Sequence, residues 1–415
     1  MHTGGVAGRK PDRNGRAEVS APREFQEAPG RWSPRRAQKG IHVADDRLAA
    51  LTAAGVSIWL DDLSRGRLVS SNLRRLIDHK HVVGVTTNPT IFAAALAHRG
   101  VYTPQIRELA RRGATVGDAV RKLVVVDVRE ACELFRGVWE ASDGVDGRVS
   151  LEVNPDLAGN SEATVLEAVS LMRAVGCPNL YVKIPATRAS LPAITEALAL
   201  GMDINVTLIF SVERYREVMA AYLAGLERAL DDGVPLSGVH SVASFFVSRV
   251  DVEVDKSLEE IGSDEALALR GMAGIANSRL AYHAFRETFA GPRWERLAAM
   301  GARVQRPLWA STGVKNPTYP DTMYVTELAV PGTVNTMPEA TLNAFADHGS
   351  LLRADNGDAV TSRASEAREV IDAIAVAGVD LAEVFTVLER DGVDRFTRSW
   401  AELHETVRRS MEAAE

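Results

Sequence analysis

The sequence predicts an α/β chain folded as a (β/α)8 TIM barrel with additional helices. Three observations predict it. From Ile41 onward short β-rich runs alternate with longer helical patterns. Eight such runs fall between Val56 and Leu328, which is the number a closed barrel needs. Asp61, Asn88, Glu152, Lys183, Asn205, Thr207 and Ser244 all sit in or at the ends of those runs. A barrel gathers its reacting groups there, because only at the C-terminal ends do separate strands point at one mouth.

The first run is Val56 to Leu60 (VSIWL), followed by a helical stretch from Ser71 to Lys80. The second is Val82 to Thr86, leading into TTNP, and a long helical region interrupted near Gly113 to Gly117 follows. The third spans Val149 to Val153; helical spacing then returns in Val165, Leu166, Val169 and Met172, with Gly176 as a stop signal. Leu180 to Ile184 is the fourth strand, and a helix opens at Ser190. Ile204 to Phe210 is the fifth. Ser211 then caps a helix that places Tyr215, Val218, Met219, Tyr222 and Leu226 on one face. His240 to Val247, Pro307 to Ala310 and Met323 to Leu328 complete the eight, and closing helices are expected from about Ala340. A doubly wound dinucleotide fold would need GxGxxG after its first strand, where this chain has WLDDLSRGR.

Composition narrows the function. With 415 residues, 46% apolar and 25% charged, the chain can bury a large core. No apolar run approaches the ~18 to 20 residues of a membrane span, so a soluble protein is expected. Cys132 and Cys177 make no disulfide framework, and the expected compartment is the cytoplasm. Residues 1–40 carry nine Lys or Arg against four acids; the net charge of −7 therefore leaves −12 on the rest. That basic segment is expected to stay disordered, with residues 41–415 as the barrel and its closing helices. The acidic body argues against a nucleic-acid partner.

Lys183, inside NLYVKIPAT, carries the chemistry. Its neighbours Tyr181, Val182, Ile184 and Pro185 wall it with apolar surface, and desolvation disfavours a charged amine. A neutral amine condenses with a carbonyl to a Schiff base. That cycle moves several protons, and Asp61 and Glu152 are the strand-end acids available to move them. Asp61 suits removal of the proton from the substrate hydroxyl whose collapse breaks a carbon–carbon bond, and Glu152 suits transfer to the amine through a water. Asn205 and Thr207, two apart on one strand, face the same way and offer an amide and a hydroxyl to substrate or water. Asn88, closing VGVTTNP, reads similarly. SFFVSR supplies Ser244 and Arg249 for a phosphate, and WASTGVKNP supplies Ser311 and Lys315 as a second candidate. No GxxxxGK[ST] loop suggests a nucleotide. His79 and His81 are the only close histidines and precede the second strand, away from its catalytic end, so no metal site is expected.

TTNPTIF, SLEVNP, YVKIPAT, INVTLIFS and SFFVSR, in this order and spacing, resemble the signatures of the transaldolase family. WASTGVKNP and YVTELAVPGTVNTMPEAT resemble its longer bacterial subfamily, and the likeness runs from about Asp46 to Arg408. It implies a barrel needing no metal or organic cofactor. It also implies transfer of a dihydroxyacetone unit from sedoheptulose 7-phosphate to glyceraldehyde 3-phosphate, giving erythrose 4-phosphate and fructose 6-phosphate in the pentose phosphate pathway. By motif, Lys183 is the Schiff-base lysine, Asp61 the acid/base of cleavage, Glu152 the relay through a water that Thr207 helps hold. Asn88 and Asn205 bind the three-carbon intermediate; Ser244 and Arg249 take the phosphate. The loop after the seventh strand departs from the family's ASFR pattern, having Ser311, an insertion and then Lys315. The alternatives are a fructose 6-phosphate aldolase, which shares the lysine chemistry, and a noncatalytic sugar-phosphate-binding barrel, which has no use for Lys183, Asp61 and Glu152.

Overall fold

The computed structural model describes residues 46–351, 358 and 360–413. The expected disordered extension, residues 1–40, and the boundary after it lie outside the described residues.

Eight parallel strands close into a barrel in sequence order. They are β1 (Val56–Leu60), β2 (Val82–Val85), β3 (Arg148–Glu152), β4 (Leu180–Pro185), β5 (Ile204–Ile209), β6 (Ser241–Phe246), β7 (Arg306–Ala310) and β8 (Thr333–Met337). Helices lie outside, and the largest apolar cluster fills the layer between them and the strands. Inside the barrel, Trp59 and Tyr181 stack with ring centroids 6.1 Å apart, and Val242, Leu308 and Val334 pack in the same cluster. Gly84 is required beside them: a Cβ there would lie 2.6 Å from the Trp59 indole. Below this layer Arg148 pairs with Asp203 at 2.5 Å and Arg306 with Asp146 at 3.1 Å, so the buried charges at the N-terminal end are neutralised.

Side chains alternate along a strand, so two residues beyond each interior position lies another interior position, nearer the mouth. The step takes Trp59 to Asp61, Ser150 to Glu152, Tyr181 to Lys183 and Asn205 to Thr207. Asp61, Glu152, Lys183 and Thr207 therefore each stand one interior step nearer the mouth, above the Trp59–Tyr181 stack.

Seven of the eight strands lie where the sequence puts them. The eighth does not. Met323–Glu327 is a short helix, and the closing strand is Thr333–Met337, beyond Pro331 and Gly332. Length and apolarity cannot separate a short buried helix from a short buried strand. Pairing can: Thr333–Met337 matches Val56–Leu60 over all five residues. Gly332, at φ 78°, turns the chain into the strand, its N–H donating to Gly55 O at 3.0 Å. A second correction concerns the helix Ser161–Val175. Gly176 ends it in the left-handed region as expected, but the buried face is Thr164, Ala168, Leu171 and Val175, whereas Leu166 and Met172 are exposed. The apolar residues there outnumber the positions that can face the core. In the helix Val212–Asp231 the five residues read as one face are all buried.

After β8 come helices Glu339–His348, Ala364–Val376 and Leu381–Glu412. The last runs across the mouth. Gly392 sits against Leu208, where a Cβ would lie 3.1 Å from its Cδ2, and Phe396 is buried beyond it. Ser399 Oγ lies 2.8 Å from Thr90 Oγ1. Leu208 itself has φ 58°, at a register shift between Val206 and Ile209 of β5. Such a bulge re-aims the strand end, here toward the crossing helix.

Candidate active site

The parallel register places three site residues side by side. Glu152 of β3 pairs with Lys183 of β4, and Lys183 pairs with Asn205 of β5. Lys183 is 4% exposed. Its Nζ donates to Thr87 O at 3.0 Å and to Glu152 Oε2 at 3.4 Å, and lies 5.8 Å from the centre of the Phe396 ring. Burial pushes Glu152 up to about 7, with Lys183 opposing the shift. Asp61 follows β1 directly, its N–H held by Met337 O. Thr86 Oγ1 donates to Asp61 Oδ1 at 2.8 Å and lies 2.6 Å from Thr336 Oγ1. Burial raises the Asp61 pKa, and the charges of Lys183 and Arg249 oppose that rise. Of the two acids named from the sequence, Glu152 touches the amine and Asp61 is coupled to it through charge.

Asn205 is fixed on both sides: its Nδ2 donates to Ser150 Oγ at 3.0 Å and its Oδ1 accepts from Ser244 Oγ at 2.7 Å. Ser244, which the sequence reading assigned to the phosphate, therefore stands deep in the barrel with its hydroxyl given to Asn205. Thr207 Oγ1 is buried and has no hydrogen-bond partner among the described residues. An orphaned hydroxyl there costs ~1 to 3 kcal/mol unless water or ligand reaches it. Asn88 caps the helix Pro89–Ala97, its Oδ1 accepting from Ile91 N at 3.0 Å. Its Nδ2 makes no hydrogen bond among the described residues. A cavity of ≈ 320 Å³ opens beside Glu152, lined in part by Asn88, Asn154, Trp400 and His404.

The remaining named residues gather at the ends of β6 and β7. Arg249 opens the helix Ser248–Ile261, whose N-terminus has no side-chain cap. Its guanidinium lies 5.0 Å from the centre of the Phe246 ring, and burial, aided by the Arg395 charge, pushes its pKa down to about 10. Ser311, at φ 56°, places its Oγ 2.9 Å from Ser248 Oγ. Lys315 is pushed down from its ordinary value, first by partial burial and then by Arg249 and Arg395. An uncapped helix end with unpaired cations is suited to a phosphate. The loop carrying Lys315 is tied to the same helix: Tyr319 OH donates to Asp255 at 2.7 Å and Tyr324 OH to Asp251 at 2.7 Å.

Sequence reasoning missed Thr86, the Thr87 carbonyl, Ser150, Arg395 and Phe396. The first three touch the named residues across strands. The last two come from a helix far along the chain, and only the fold brings them to the mouth. His79 ends the helix before β2 and His81 precedes that strand, its Nε2 2.9 Å from Asp46 Oδ2. Among the described residues no helix is long and apolar enough to cross a membrane.

A closed parallel barrel with a buried lysine and two carboxylates at its C-terminal mouth has the layout of a lysine-dependent carbon–carbon lyase or transferase. The chain belongs to the transaldolase/fructose-6-phosphate aldolase family, whose model matches residues 58–407. It is 60% identical over 368 residues to a transaldolase of Mycolicibacterium paratuberculosis, covering 88% of this chain and 98% of that protein. Transaldolases of Mycolicibacterium smegmatis (58% identical) and Mycobacterium tuberculosis (59%) match with the same coverage, 88% of this chain and 98% of theirs.

Proposed function

We propose that this chain is a transaldolase. It moves a dihydroxyacetone unit from sedoheptulose 7-phosphate to glyceraldehyde 3-phosphate, giving erythrose 4-phosphate and fructose 6-phosphate, in the cytoplasmic pentose phosphate pathway. The observation that carries the reading is the buried Lys183 amine against Glu152, with the Asp61 carboxylate coupled to it.

Lys183 Nζ attacks the ketose carbonyl. Glu152 takes and returns protons through a water held with Thr207, and the carbinolamine loses water to the iminium. Asp61 accepts the proton of the C4 hydroxyl; the C3–C4 bond breaks, its electron pair passes into the iminium, and an aldose leaves. The enamine left on Lys183 attacks the acceptor aldehyde, and the steps reverse. Asn205, held by Ser244 and Ser150, and Asn88 through its Nδ2 hold the hydroxyls of the three-carbon unit. Arg249, Ser311 and Lys315 face the phosphate. No step calls for a metal or an organic cofactor.

Transfer needs the enamine to outlive departure of the first aldose. Phe396 over Lys183 limits activated water at the amine, which favours transfer over release of free dihydroxyacetone, the outcome of an aldolase.

Borohydride reduction in the presence of fructose 6-phosphate tests the reading. A three-carbon adduct on Lys183 is expected by peptide mapping. An adduct elsewhere, or none, overturns it.

A further inference from the structure

We propose that Arg395, on the C-terminal helix, is the third cation of the phosphate subsite, joining Arg249 and Lys315 around the phosphate of a bound sugar phosphate. The inference rests on the sugar-phosphate reading above and extends it to a residue outside the strand-end motifs.

The helix register carries the argument. Gly392, Phe396 and Ser399 form the stripe that touches the mouth, against Leu208, toward Lys183 and on Thr90 respectively. Arg395 precedes Phe396 directly and follows Gly392 by less than one turn, so it stands at the edge of that stripe. The same helix packs on the helix Ser248–Ile261, which carries Arg249 in its first turn. Arg395, Arg249 and Lys315 come from three separate segments. Both Arg249 and Lys315 are disfavoured as cations by the Arg395 charge.

Among the described residues none of the three cations is in an ion pair with a carboxylate, whereas other arginines, such as Arg214, Arg279 and Arg306, are. Arg395 is exposed at the rim while Arg249 is partly buried, and unpaired cations reaching one mouth repel one another. A phosphate monoester, close to a dianion at neutral pH, removes that repulsion and supplies the acceptors they lack. The arrangement also explains the departure in the loop after β7. Where the commoner pattern has an arginine shortly after the serine, this chain has Lys315, and the planar fork a lysine cannot offer comes from the C-terminal helix.

The test uses the full chain and compares wild type, Arg395→Gln, Arg395→Lys and Arg249→Gln. The readouts are kcat/KM for fructose 6-phosphate and for fructose with a common aldehyde acceptor, and the inhibition constant of inorganic phosphate. Arg395→Gln should lower the preference for the phosphorylated ketose by ~10-fold or more and weaken phosphate inhibition to match, as expected for a charge-assisted hydrogen bond. Arg395→Lys should recover part of both. An unchanged preference and unchanged phosphate inhibition in Arg395→Gln, or equal losses on both ketoses, would overturn the inference. If Arg249→Gln loses the preference while Arg395→Gln keeps it, the inference alone fails. If wild type traps no borohydride adduct, the transaldolase reading fails and takes the inference with it.

Discussion

Lys183 Nζ and Glu152 Oε2 stand 3.4 Å apart because their residues are register partners on adjacent parallel strands. The contact is built into the sheet and does not depend on a mobile loop. It places a proton acceptor at the reactive amine in a setting where burial holds the acid near neutrality.

That placement sets a pH profile. Glu152 must be ionised to accept a proton, and its pKa is raised by burial to about 7. Below that pH the protonated fraction grows, so kcat/KM should fall about tenfold per unit on the acid side. Glu152→Gln should be slower by ~10² to 10⁴ and should lose this limb. A limb that survives the substitution would belong to another group.

Thr207→Val separates function from stability. The buried hydroxyl lacks a partner among the described residues, so replacing it by a methyl of similar size removes an unmet polar group. The thermal midpoint should hold or rise. Activity should drop ~10- to 100-fold if the hydroxyl holds the relay water. Unchanged activity would take Thr207 out of the mechanism.

Lys183, Asp61 and Glu152, the residues proposed for catalysis, stood out in the sequence because strand periodicity is strict. Residues two apart share a face, and polar groups inside apolar strands need a reason to be there. For that reason VSIWL is the whole of β1 and INVTLIF overruns β5 by only one residue. Met323–Leu328 misled because an apolar run of that length fits either element, and the true closing strand, TVNTM, is half polar. The face of Ser161–Val175 misled because apolar side chains stand on more than one side. Phe396 and Arg395 were not legible at all. Their proximity to the mouth comes from a helix folding back over the barrel, and no local pattern encodes it.

That helix closes the mouth through Gly392. A Cβ there meets Leu208, whose backbone is already in the left-handed region. Gly392→Val should lift the helix and with it Phe396, letting water reach the enamine. The ratio of free dihydroxyacetone to transfer product, measured with limiting aldehyde, should rise several-fold. If the ratio stays put while both rates fall, the helix does not guard the intermediate.

Asp61 can be tested by where the reaction stops. Thr86 donates to its Oδ1, and Met337 O holds its backbone, so Asp61→Asn keeps the shape of the site while removing the proton acceptor. Schiff-base formation draws on Lys183 and Glu152 and should proceed. Cleavage needs the C4 hydroxyl proton removed, and an amide cannot take it. Borohydride should then trap the entire six-carbon phosphate on Lys183, whereas wild type traps three carbons, and intact-protein mass distinguishes the two. A three-carbon adduct in Asp61→Asn would mean that some other group breaks the bond. A six-carbon adduct would fix the order of events: the amine captures the ketose first, and Asp61 acts only on the captured sugar.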